Sequence, residues 1–128
     1  MNTDIGLLML RVTLGPMMAI GHGWGKFVKV VTGDFTFADP IGIGQAPSLV
    51  LAAGAEFVCA ILLTLGIKTR WMAVPLVITM LVAAFVHHLD DPWGKKEFAL
   101  LYAISFAALA VTGGGKYSFD AWWSKKRR

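Results

Sequence analysis

Residues 47–67 read PSLVLAAGAEFVCAILLTLGI, an almost unbroken apolar run that contains a single ionisable residue, Glu56. A helix of about 20 apolar residues spans the hydrocarbon core of a bilayer, because each helical residue rises about 1.5 Å. The strands of a membrane barrel alternate apolar and polar residues, and this run does not. The stretch therefore predicts a transmembrane α-helix.

Three further apolar runs have the same character, at about residues 5–24, 71–88 and 98–112. The hydrophobic content of 56% and the mean hydropathy of +0.63 exceed what a soluble domain of this size needs, so the surplus faces lipid. We therefore predict an all-α fold, a four-transmembrane-helix bundle that forms a single integral membrane domain over residues 1–128.

Glycine and proline interrupt the stretch between the first two runs, which predicts an external loop over residues 32–46. Its apolar side chains allow two arrangements: the loop folds over the bundle as a lid, or it rests on the lipid headgroups. The sequence leaves both open. The side chains concerned are Phe35, Phe37, Ile41 and Ile43.

The basic residues predict the orientation of the bundle. An even number of spans places both termini on one side, together with the turn at residues 66–70. That side carries seven Lys and Arg residues and the opposite side four, so the positive-inside rule places both termini in the cytoplasm. The C-terminal run 125–128 supplies four of the seven; we interpret it as a contact for membrane lipid and predict no nucleic-acid partner.

The chain has one cysteine, Cys59, which excludes a disulfide framework, a CxxC redox pair and a thiolate metal cage. A small packing residue is the simpler interpretation of a thiol in an apolar run. Redox chemistry would therefore need other groups or a partner.

Two ionisable residues lie inside predicted spans, Arg11 and Glu56, and such residues are costly in lipid unless they have a partner. Counting from the span ends gives a depth difference of about 8 Å, which a guanidinium can bridge. We therefore predict a buried Arg11–Glu56 ion pair with a catalytic role, Glu56 carrying protons or binding ligand. The alternatives are a pair that only locks two helices and an Arg11 that reaches the interface.

A second group of polar residues is predicted at the external mouth of the bundle: His22, Lys26, His87, His88 and Glu97, with Asp90 and Asp91 beside them. His22 and His87 reach the same depth on neighbouring spans by the same rise per residue. These types can bind an anion, a metal or the polar head of a quinone. Adjacent histidines face different sides of a helix, so a zinc site needs local unwinding and the metal stays unknown. The alternative is ordinary solvated charge.

Several segments resemble the DoxX family of small four-helix membrane proteins of bacteria and archaea. They are LRVTLGPMMAIGHGWGK at 10–26, AAGAEFVCAILLTLGIKTRWMAV at 52–74, VHH at 86–88, EFALLY at 97–102 and GGGKYSFD at 113–120. The resemblance covers nearly the whole chain and implies the bacterial or archaeal cytoplasmic (inner) membrane as its location.

The same resemblance implies a membrane subunit of an oxidoreductase system, in which the polar residues hold a quinone or a small sulfur species. A quinone is thus the suspected cofactor. The sequence contains no recognisable cofactor motif, so a soluble redox protein or another membrane subunit would complete the electron path. A non-catalytic module that recruits soluble partners and a small carrier or channel remain alternatives, as does a homo-oligomer, and whether the chain is an enzyme stays open.

Overall fold

The computed structural model describes residues 2–128, and every regular element among them is a helix. The helices are α1 (Asn2–Thr32), α2 (Gln45–Leu65), α3 (Thr69–His87), α4 (Trp93–Thr112) and α5 (Phe119–Lys126). The prediction of an all-α fold is confirmed. α1 continues well past the predicted end of the first span at residue 24.

Three of the helices, α1, α2 and α3, are long and apolar enough to cross a membrane. α4 has 20 residues, but Lys95, Lys96 and Glu97 lie in its first two turns and leave only residues 98–112 as an apolar stretch. Three membrane-length helices are thus present within residues 2–128, and the fourth span stays a prediction.

α1 and α2 run antiparallel and touch at glycines of α1. A Cβ atom added at Gly15 would lie 1.9 Å from Thr64 Oγ1, and one added at Gly23 would lie 2.3 Å from the carbonyl oxygen of Glu56. Small residues permit such approach of two helix backbones in a membrane. The contact at Gly23 fixes which face of α1 lies beside Glu56.

The core lies between these two helices and the α3–α4 pair. α4 buries one face of its helix, with Ala99, Tyr102, Ala103, Phe106 and Leu109 spaced by three or four residues. The opposite elements contribute fully buried side chains to the same cluster: Met18, Leu63 and Leu76. Large apolar residues on the outer faces remain exposed, as expected of helices that face lipid.

One end of the bundle is closed by the α2–α3 turn (residues 66–68) and the α4–α5 loop (residues 113–118), and we call it the closed end. Arg11 lies there with no exposed surface. Its Nη1 donates to the carbonyl of Thr64 at 2.8 Å, and Nε and Nη2 donate to those of Gly114 and Tyr117, each at 3.0 Å. These carbonyls lie at a helix end and in a loop, where helical amides are not available to them.

The predicted Arg11–Glu56 ion pair is therefore wrong. Glu56 precedes Thr64 by eight residues on α2, which is about 12 Å along the helix axis. The guanidinium of Arg11 turns toward the closed end, where the three carbonyls satisfy it without a carboxylate. The prediction compared only the depths of Arg11 and Glu56 in their helices, and it did not consider the α4–α5 loop, which supplies two of these carbonyls.

Asp120 holds the closed end together from the other side. Its two carboxylate oxygens accept hydrogen bonds from the backbone amides of Lys68 at 2.8 Å and Thr69 at 3.1 Å, at the start of α3. Its own amide donates to the carbonyl of Gly66 at 3.0 Å. A carboxylate at this position satisfies amides that lack helical acceptors and interacts favourably with the helix dipole.

Candidate ligand-binding site

Each of the three membrane-length helices contains one π-helical turn, at Ala19–Gly23 in α1, Gly54–Cys59 in α2 and Ala83–His87 in α3. A π turn inserts an extra residue into the helix and commonly marks a functional site. The three turns carry His22, Glu56 and His87. All three side chains line one cavity at the end of the bundle opposite the closed end.

The cavity has a volume of about 370 Å³, within the range of about 300–1,000 Å³ that is usual for small-molecule sites. Most of its wall is apolar, and a few polar groups converge inside it. The polar and aromatic side chains of the wall are His22, Lys26, Phe37, Ser48, Glu56, Thr79, His87, His88, Lys95, Phe98 and Tyr102.

Lys26 is the partner of Glu56. Its Nζ lies 2.6 Å from Glu56 Oε2, and the two side chains are 24% and 7% exposed. The same ammonium donates to the carbonyl of His22 at 3.0 Å. Among residues 2–128, Glu56 Oε2 has no other polar partner. The ion pair is thus mostly buried, it has few hydrogen-bond partners, and both of its charged side chains line the cavity.

The imidazole ring of His22 packs against the aromatic residues of α4. Its ring centroid lies 5.8 Å from that of Phe98 and 5.8 Å from that of Tyr102, and the ring meets Tyr102 edge-on. Tyr102 is itself 5% exposed and stacks on Phe106. These contacts fix the imidazole plane at one wall of the cavity.

His87 and His88 lie at the outer rim, and both line the cavity. The helix ends between them, because His88 has φ −101° and ψ 23°, and this local unwinding brings two adjacent side chains to one site. His88 Nδ1 lies 2.6 Å from Asp91 Oδ2. This hydrogen bond is the main cause that lowers the pKa of the Asp91 carboxyl group; desolvation opposes it in part, and the nearby charge of Lys95 lowers the pKa further.

The placement of Glu97 at the mouth is wrong. Glu97 is exposed and lines a separate outer groove with Trp93 and Leu101. Neighbouring helical residues point about 100° apart, so Phe98 and Tyr102 face the cavity while Glu97 faces away from it. Sequence order alone placed Glu97 near the histidines without fixing its face.

The loop at residues 33–44 covers the cavity. Phe37, Ile41 and Ile43 line it, whereas Phe35 does not. Asp39 fastens the loop to the start of α2, because its carboxylate accepts hydrogen bonds from the amides of Ile43 and Gly44, both at 2.9 Å, and from the Ser48 hydroxyl at 3.1 Å. Of the two predicted arrangements, the lid is the one observed.

A protein-family model described as DoxX matches residues 6–89, the segment that contains all three π turns. The chain belongs to the DoxX family. It is 28% identical to the inner membrane protein YqjF of Escherichia coli over 96% of this chain and 95% of that protein. It is 31% identical to an uncharacterized protein of Haemophilus influenzae over 94% and 92% of the two chains. No solved structure matches.

The relative from Escherichia coli is an inner membrane protein, and three helices of the chain have membrane length. The predicted family and the predicted location in the inner membrane are confirmed. In this DoxX-family chain, residues 2–128 contain no group of three His, Cys, Asp or Glu side chains arranged to hold a metal ion.

Sequence reasoning missed three contributors to the site: Lys95, Phe98 and Tyr102. A signal for Tyr102 was present, since Phe98 and Tyr102 differ by four positions and share a helix face. The π turns of this DoxX chain had no such signal, because a single inserted residue hardly disturbs the apolar periodicity of a membrane helix.

Proposed function

We propose that the chain is the membrane subunit of an oxidoreductase system and that its cavity holds the head of a quinone. The observation that carries this proposal is the Lys26–Glu56 ion pair, which faces a mostly apolar cavity that His22 also lines. Small-molecule sites combine apolar walls with a few placed polar groups in this way. A quinone head has the matching chemistry, an apolar ring with two carbonyl oxygens.

The residues of the cavity suit quinone reduction. Two electrons and two protons convert the two carbonyl oxygens of a quinone into hydroxyl groups. The Lys26 ammonium is placed to donate a hydrogen bond to one carbonyl oxygen and to stabilise the negative charge that develops there. Glu56 and His22 are placed to relay protons from the rim. The electrons come from a reduced partner, a soluble redox protein or another membrane subunit.

The wall between α2 and α3 supports entry from the lipid. Leu51 and Ile78 line the cavity there and are 62% and 56% exposed. Apolar side chains that face both the cavity and the outer surface thus lie between the polar groups and the bilayer. This arrangement fits a ligand whose isoprenoid tail stays in lipid while its head enters the protein.

The four-span topology belongs to the same proposal. α4 packs along α3 through its Ala99–Leu109 face, as a fourth span would, and the basic residues favour cytoplasmic termini. The cavity then opens near the external side. In a Cys59→Ala background, a membrane-impermeant maleimide added to intact cells should label Asp34→Cys and not Ser124→Cys. The opposite pattern, or labelling of both, would refute this orientation.

Quinone binding can be measured directly. The purified protein in lipid nanodiscs is titrated with a short-chain quinone, and bound quinone is followed by ultraviolet difference spectroscopy. Lys26→Met and Glu56→Gln should each weaken binding at least tenfold. The matched control is Glu97→Gln, the same chemical change on the exposed outer groove, which should leave binding within twofold.

The outcomes separate this proposal from its alternatives. Equal affinity in Lys26→Met, Glu56→Gln and wild type, or no binding by wild type, would reject the quinone site. Native mass spectrometry of the protein from its own membranes adds a second readout. A soluble protein retained in stoichiometric amount, without quinone, supports the recruiting module, and an empty oligomer supports the carrier.

A further inference from the structure

A groove of about 710 Å³ lies at the closed end, between the α2–α3 turn and α5, far from the lid and its cavity. Its lining includes two basic side chains, Lys68 and Arg70, and the carboxylate of Asp120, with Trp71, Phe119 and Trp123 as its aromatic walls. Neither basic side chain has a hydrogen bond or ion pair with any residue in 2–128, and both are exposed. We propose that this groove binds the phosphate head of an anionic membrane phospholipid.

The charge of the groove favours an anion. The one carboxylate nearby, that of Asp120, already accepts the amides of Lys68 and Thr69 with its two oxygens. The positive charges of Lys68 and Arg70 are therefore not paired with a carboxylate and can interact with an anionic ligand. The tail lysines lie outside the groove, where Lys126 stacks over Trp122 at 5.3 Å.

The aromatic walls favour a lipid over a free anion. Trp71 is 74% exposed at the start of α3, and Trp123 is 43% exposed on α5. Indole rings prefer the headgroup layer of a bilayer, where one side of the ring is apolar and the other wet. A phospholipid whose phosphate lies between these rings would have its acyl chains beside Ile67 and the outer face of α3. Basic pockets at helix ends are general sites for acidic lipid heads.

The backbone conformation of Lys68 is unusual for a residue with a side chain. Lys68 has φ 46° and is the one residue other than glycine with a positive φ among residues 2–128. This left-handed conformation is disfavoured for a side chain with a Cβ atom, and glycine adopts it without strain. The neighbouring turn residue Gly66, at φ 76°, follows that preference. Glycine at position 68 would therefore adopt the same conformation without this strain.

That strain provides a test that separates binding from folding. Lys68→Gly removes the ammonium and relieves the backbone, so the variant should unfold at the same temperature as wild type or a higher one. In detergent, native mass spectrometry with added phosphatidylglycerol should show about fivefold weaker binding for Lys68→Gly. The Lys68→Gly/Arg70→Gln double variant should bind about 25-fold more weakly, since each basic residue near an anionic lipid contributes about fivefold.

Three controls decide the result. Lys125→Gln/Lys126→Gln removes the same charge outside the groove and should change the affinity by less than twofold. Arg70→Lys keeps the charge and should retain binding. Phosphatidylcholine should bind more weakly than phosphatidylglycerol in wild type.

Equal binding of the two lipids, or an equal loss in the tail variant, would overturn the proposal. Displacement of phosphatidylglycerol by millimolar inorganic phosphate would also overturn it, because the groove would then be a site for free phosphate. The quinone titration is unaffected by any of these results, since the two sites lie at opposite ends of the bundle.

Discussion

Replacement of Arg11 by methionine should destabilise the protein by about 3–5 kcal/mol. The change removes the donors of three hydrogen bonds, to the carbonyls of Thr64, Gly114 and Tyr117, from a fully buried position. An orphaned carbonyl costs about 1–3 kcal/mol when it is buried, so the three cost at most about 9 kcal/mol, and the bonds to Thr64 and Tyr117 are only partly buried. The methionine variant also avoids the cost of burying a charged guanidinium away from water, roughly several kcal/mol, and this gain offsets part of the loss.

The loss is measurable by reversible unfolding in mixed detergent and SDS micelles, followed by tryptophan fluorescence. Arg11→Lys keeps the charge but not the planar fork of donors, so it should recover only part of the stability. The matched control is Lys96→Met, which removes a charged side chain on the first turn of α4 and should change stability by less than about 0.5 kcal/mol.

A double-mutant cycle then distinguishes the observed partners from the predicted ones. Arg11→Met and Glu56→Gln should be additive within about 0.5 kcal/mol, because the two groups share no partner and lie far apart. Lys26→Met and Glu56→Gln should show a coupling of about 1 kcal/mol or more, since their charges are 2.6 Å apart. A coupling above about 1 kcal/mol between Arg11 and Glu56, or a loss below about 1 kcal/mol in Arg11→Met, would refute this reasoning.

Two further predictions concern the helix contact and the rim. Gly23→Ala should lower both thermal stability and quinone binding, because its Cβ would lie 2.3 Å from the Glu56 carbonyl oxygen, whereas Gly21→Ala, with open space around it, should change neither in the same melting and titration experiments. The Asp91 carboxyl group should titrate below its ordinary range in a carbon-13 NMR titration, and His88→Gln should raise its pKa. Because the pKa of Asp91 is lower in the folded state, this contact stabilises the protein at pH values above the unfolded-state pKa. The stabilisation is lost as the pH falls through the folded-state pKa. An unchanged pKa in His88→Gln, or equal behaviour of the two glycine variants, would contradict these expectations.

The helices were predictable because hydropathy and length leave few alternatives for long apolar runs in a membrane. The polar residues of the cavity were partly predictable for the same reason: ionisable groups such as Glu56 and Lys26 are rare in such helices. Their pairing was not predictable. It depends on how far α1 slides along α2, and that is decided by the contact between the Gly23 region and the Glu56 backbone.

The side chains on α4 illustrate a second limit. Glu97 and Phe98 are neighbours in sequence, and a rotation of about 100° sends one to an outer groove and the other to the cavity. The face that α4 presents to α3 is set by Ala99, Ala103 and Phe106, which the sequence shows as apolar along with most of their neighbours. Apolar residues on all sides of a membrane helix hide its buried face.

The buried charges of the chain divide into two kinds, and the division carries a functional meaning. Arg11 has a carbonyl acceptor for each of its three guanidinium nitrogens, so binding a ligand there would have to break bonds that hold the closed end together. Glu56 Oε2 has one ionic contact, to a lysine that also lines the cavity. A sparsely bonded charge in an apolar cavity gains free energy when a complementary group enters, because a buried polar group with few partners is costly. Of these two buried charges, Arg11 thus stabilises the fold, and the Lys26–Glu56 pair is the one at which binding of a ligand would be favourable.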